Sequence, residues 1–137
     1  MFEFHGWISI VEEDNDEADI SILDRRREEL CLFIEKHIES IKGSNREFHL
    51  HRSINGSSHL VFTGAHNHRS EEIINFFKII AKNQPHSYGK LFVRDDEDQR
   101  GFQNSMQEFT MARSTVTEKT DEAMSPCIPK IEEEYKF

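Results

Sequence analysis

Long apolar runs are missing from this chain. No stretch approaches the roughly 20 residues that cross a bilayer. Met1-Phe2-Glu3-Phe4-His5 places charge and polarity where a secretory leader needs an unbroken apolar segment. Cysteine is scarce: Cys31 and Cys127 stand alone and form neither a disulfide framework nor a C-x-x-C metal spacing. These gaps argue against a membrane protein and a disulfide-stapled secreted domain, and make a reducing cytoplasm the expected compartment. Positive charge is also in deficit. Seventeen Lys and Arg face 26 Asp and Glu, a net charge of -9, so the summed field repels phosphate backbones and direct nucleic-acid binding is not expected. There is no Gly-x-Ser-x-Gly elbow and no phosphate-cradling glycine loop. Neither an enzyme nor a cofactor is therefore expected.

What is present suffices for one folded domain. The chain has 137 residues and eleven Phe, enough bulky material for a single core. Residues 2 to 11 alternate, with Phe2, Phe4, Ile8 and Ile10 on one side and His5, Trp7 and Ser9 on the other, as a strand requires. An acidic loop, Glu12 to Glu17, follows, and Asp19 or Ser21 can cap the next element. Apolar residues from Ile22 to Ile41 recur at three- and four-residue spacing, with Gly43 as the stop, which predicts a helix. Phe48 to Ile54 and a returning segment through Leu60 and Phe62 read as a hairpin turning at Asn55-Gly56. Ser70, Glu71 and Glu72 open a second helix that ends before Pro85. Tyr88 to Arg94 and Ser105 to Val116 read as two further strands.

The expected fold is α+β: a single-domain sandwich with a mainly antiparallel sheet of about five strands and two helices on one face. Its β-α-β-β-α-β-β order starts like a ferredoxin. Residues 1–116 form the domain. Residues 117–137 form an irregular tail docked by Met124, Ile128, Ile131 and Tyr135.

Strand parity then sends Phe48, Leu50, Leu60 and Phe62 toward the helices with the apolar residues of the first strand. It leaves His5, Trp7, His49, His51 and His59 on the opposite face. Those histidines carry an alternative reading, a transition-metal site in a metal-binding protein or metal-dependent enzyme, although only Glu3 and Glu47 stand near as supporting carboxylates. Asp95, Asp96, Glu97 and Asp98 lack the spaced ligands and closing Glu of a calcium loop. They read better as a solvated docking site for a basic partner.

Four strings tie these features together: His5-Gly6-Trp7-Ile8, Gly64-x-His66-Asn67-His68-Arg69, Tyr88-Gly89-x-Leu91-x-x-Arg94-Asp95-Asp96-Glu97-Asp98, and Met124-Ser125-Pro126-Cys127-Ile128-Pro129. In this order, over nearly the whole chain, they resemble the immunity protein 7 family. The resemblance implies a bacterial polymorphic-toxin or contact-dependent-inhibition locus. Its immunity protein binds and neutralises a cognate toxin C-terminal domain, here expected to be a basic nuclease. On this reading the toxin-binding residues are acidic side chains that stand in for substrate phosphates, Glu12, Glu13, Asp14, Asp16, Glu17, Asp95, Asp96, Glu97 and Asp98. Trp7, Tyr88 and Phe92 serve as aromatic anchors.

Overall fold

The computed structural model describes residues 1–14, 19–41, 43–54 and 56–129. The N-terminal alternation forms β1 (Phe2–Ile10), burying Phe2, Phe4, Ile8 and Ile10 and leaving Trp7 exposed on the reverse side. Asp19 caps the following helix. Its carboxylate accepts the Ile22 amide proton at 2.9 Å, and the Ser21 hydroxyl donates to the same side chain. That helix, α1 (Ile20–Glu39), ends at Ser40, ahead of the expected stop. Gly43, at a φ of 80°, instead opens a one-turn helix, α2 (Ser44–Glu47), which has no periodicity to announce it.

β2 (Phe48–Ile54) and β3 (Ser57–His66) form the expected hairpin, with Gly56 in the turn at a φ of 77°, while Asn55 lies outside the described residues. In α3 (Glu71–Asn83), Ser70 takes the cap position but its side chain makes no capping bond. β4 (Tyr88–Asp95) follows.

The segment expected as one strand over 105–116 is a hairpin, β5 (Gln107–Ala112) and β6 (Thr115–Thr120). Its turn consists of Arg113 and Ser114, both with positive φ, at 51° and 65°. Such two-residue turns usually advertise themselves with Gly or Asn. Here neither is present, so the reversal is silent in the sequence. The sheet accordingly has six strands, not five, and Thr117 to Thr120, expected to start the tail, belong to it. The chain beyond β6 docks through polar bonds. Cys127 donates its amide to the Asn104 carbonyl at 2.8 Å, and the Ile128 amide and carbonyl both bond the Asn104 side chain. Met124 and Ile128, expected as apolar anchors, are exposed. Ile131 and Tyr135 lie outside the described residues.

The strand order is β2-β3-β1-β4-β5-β6, and every neighbouring pair is antiparallel. The first four strands have the split β-α-β ferredoxin-like arrangement, and the β5-β6 hairpin extends it beyond β4. α1 and α3 cover one face. Beneath them, Phe48 stacks on Phe62 with ring centroids 5.1 Å apart, and Phe76 meets both rings edge-on. Gly89 has no room for a side chain, because a Cβ there would enter the backbone of Trp7 and Ile8 on the paired strand. Just beyond this end of β1 a polar chain ties the strand's exit to the start of β4 and to α1. The Val11 amide donates to the Ser87 hydroxyl, Ser87 donates to the Gln84 side chain, and Gln84 donates to the Leu30 carbonyl. Each buried donor finds an acceptor, so the network adds order without an unpaired group.

Two substitutions test this packing by denaturant unfolding. Phe77, fully buried on α3, should cost about 3–5 kcal/mol when changed to Ala. Gly89→Ala should cost about 1–3 kcal/mol or more despite adding one methyl group, because the obstruction is backbone.

Candidate functional site

The helices cover one face of the sheet, so strand parity exposes a second set of side chains on the other. Across the strands, Trp7 pairs with Val61 of β3 and Lys90 of β4, and Ser9 pairs with His59 and Tyr88. Trp7, Val61 and Tyr88 are 40%, 39% and 49% exposed, and the rings of Trp7 and Tyr88 meet edge to face at 6.0 Å. Phe92 continues the patch one row further on, half-buried opposite His5. Exposed aromatic and β-branched side chains grouped in this way resemble the anchors of protein interfaces more than the remainder of a solvated sheet. Val61 escaped the sequence-based choice of anchors, although its alternation with Leu60 and Phe62 already placed it outward.

The charges on this face are largely balanced within it. Glu3 accepts from the Arg94 guanidinium at 2.7 Å and from His5 at 3.2 Å, and the Arg94 bond holds its carboxyl below the ordinary range. Glu108 lies between Lys90, which donates to it, and Lys119, and the Lys90 bond lowers its pKa in the same way. The face is therefore aromatic, imidazole-rich and close to neutral.

The histidines do not assemble as a metal site. His51 and His59 stack with centroids 5.2 Å apart, and His5 is held by Thr63 and Glu3. Among the described residues no three His, Cys, Asp or Glu side chains converge as a metal ion needs. The geometry thus departs from the metal alternative, because residues sharing a face are spread over three strands.

The two acidic segments lie at opposite ends of β1, which are separated by about 26 Å at the rise of an extended strand. Both are drawn toward the helix layer. At one end Arg27, 7% exposed, donates to Glu12, to Asp24 and to the Gly56 carbonyl, while Arg26 bonds the Glu13 carbonyl. Glu13 and Asp14 stay exposed, and Asp16 and Glu17 lie outside the described residues.

At the other end Asp95 and Asp98 are buried, at 4% and 6% exposure, where a solvated loop was expected. Asp95 accepts the Glu97 amide at 3.0 Å and Arg69 at 3.2 Å. Asp98 accepts the Arg100 amide at 2.8 Å and the Arg100 guanidinium, which also forks onto Glu118. Asp96 and Glu97 face outward, the first ion-paired with the terminal ammonium and the second bonded to His68 at 2.8 Å. The structure therefore brings Trp7, Tyr88 and Phe92 together on one face and keeps them apart from both acidic segments. Of the arginines that neutralise the second segment, Arg69 appeared in the sequence only within a family string, and Arg100, whose flanking position was its signal, was not singled out.

Against this geometry, a family model described as Immunity protein 7 matches residues 1–133. Comparison with curated proteins and with solved structures gives no match.

The Asp98 carboxyl is held below the ordinary carboxylate range first by the Arg100 bond. A depressed folded-state pKa stabilises above the unfolded value and loses that contribution as pH falls through the folded one. Asp98→Asn should therefore cost about 1–3 kcal/mol at pH 7. The gap to the parent should begin to narrow as pH falls through the ordinary carboxylate value of about 4, and close only below the depressed folded-state pKa of Asp98, where both side chains are neutral. Unfolding curves across this pH range measure it.

Proposed function

We propose, from the premise that this chain belongs to the Immunity protein 7 family, that it protects a bacterial cell by binding and blocking a cognate toxin domain. The observation that carries the reading is the match over residues 1–133. The exposed aromatic face gives it a surface. The protein acts as a stoichiometric inhibitor and not as an enzyme. It belongs to a polymorphic-toxin or contact-dependent-inhibition locus and works in the cytoplasm.

Trp7 and Tyr88 anchor the toxin, with Val61 and Phe92 completing the patch. Large rings that bury much area at low entropic cost commonly dominate such interfaces. The toxin is a basic nuclease, in keeping with the net charge of -9. An acidic inhibitor gains fast, steered association with a cationic partner. The outward acids, Glu13 and Asp14 at one end and Asp96 and Glu97 at the other, form the rim that covers the toxin's substrate surface. Asp95 and Asp98 contribute by holding that loop in place.

Co-expression with the toxin domain encoded beside it should restore growth, and the two should copurify; growth arrest that persists would overturn the reading. Trp7→Ala and Tyr88→Ala should each weaken the complex by at least about thirtyfold, the hot-spot scale, with unchanged unfolding midpoints. Replacing Glu13, Asp14, Asp96 and Glu97 with Lys should slow association and flatten its salt dependence in stopped-flow measurements.

A further inference from the structure

The two edges of the sheet are not equivalent. β2 is guarded: its register shifts between His51 and Ile54, and Arg52 is clamped by Glu28 and Glu35 of α1. Bulges and charged clamps are the usual means of keeping a free edge from pairing. β6 has neither. It pairs with β5 in unbroken register from Thr115 to Thr120, without proline or bulge.

The hairpin geometry decides which backbone groups this edge presents. A two-residue turn at Arg113-Ser114 makes Ala112 and Thr115 a hydrogen-bonded pair, so the bonded pairs recur every second residue. The Asp121 amide bonding the Met106 carbonyl at 2.8 Å falls in the same series. Thr115, Thr117 and Lys119 therefore bond β5, while the N–H and C=O groups of Val116, Glu118 and Thr120 point away from the sheet. Among the described residues no backbone hydrogen bond reaches those three from beyond the sheet. Beside this edge Lys119 is 70% exposed, and Glu118 is already neutralised by the Arg100 fork.

We propose that β6 accepts an extended segment of the toxin as a seventh strand, with a carboxylate on that segment facing Lys119. This deepens the toxin-binding reading and rests on it. Strand addition obtains affinity from backbone bonds and selectivity from alternate side chains. It also continues the helix-free face onto the partner, so anchoring and strand pairing form one surface.

Amide hydrogen exchange on the full chain, free and with the co-expressed toxin domain, tests the proposal. In the free protein Val116, Glu118 and Thr120 should exchange fast and Thr117 slowly; in the complex all four should be slow. Val116→Pro removes one outward amide at a position where an edge tolerates proline, and should weaken binding by roughly tenfold, the scale of one or two backbone bonds. Glu118→Pro beside Glu118→Ala gives the same comparison if Val116→Pro does not fold. A toxin that binds without slowing the three amides, or binds the proline variants as well as the parent, overturns the strand proposal and leaves toxin binding intact. Amides already slow in the free chain mean that the edge is occupied, by the chain's own C-terminal residues or by a second copy, and overturn it too. Failure of the parent chain to bind the toxin at all overturns both.

Discussion

Everything in this protein depends on β1 being buried on one face only. It lies between β3 and β4, and successive side chains on a strand point opposite ways. Phe2, Phe4, Ile8 and Ile10 therefore enter the core, and Trp7 must emerge on the far side. A slip of one residue would exchange the two sets. The helices, the aromatic stack of Phe48, Phe62 and Phe76, and the exposed Trp7-Tyr88 pair all follow from that one register.

Electrostatics and contact chemistry are kept in different places. Arg27, Arg69 and Arg100 turn much of the acidic sequence inward, where carboxylates hold loops in shape. What the two acidic loops keep outward, Glu13, Asp14, Asp96 and Glu97, sits at the two ends of β1, at a distance from the aromatic patch. This division suits an inhibitor. Long-range attraction depends on net charge and tolerates separation, whereas anchoring needs desolvated side chains in direct contact.

The helix-free face and the β6 edge meet along one side of the molecule, joined through Glu108, Lys90 and Lys119. A partner seated there would find apolar rings, balanced ion pairs and unpaired backbone groups in succession. The sheet supplies the scaffold for this surface.

The sequence by itself determined the α+β class, the ferredoxin-like beginning, and the inward and outward sets on β1 and β3, because these depend on local periodicity; it narrowed the first helix cap to Asp19 or Ser21, and the structure chose Asp19. The family resemblance was likewise legible in strings such as His5-Gly6-Trp7-Ile8. Only the tertiary structure decided the sixth strand, whose Arg113-Ser114 turn has no composition signal, and the burial of Asp95 and Asp98. Those carboxylates read as solvated in the chain, and their fate turned on Arg69 arriving from before α3 and on Arg100 folding back within the same loop. The separation of the acidic loops from the aromatic face was settled the same way. A linear sequence shows which charges exist, but whether each meets solvent or a partner is a property of distances set by packing.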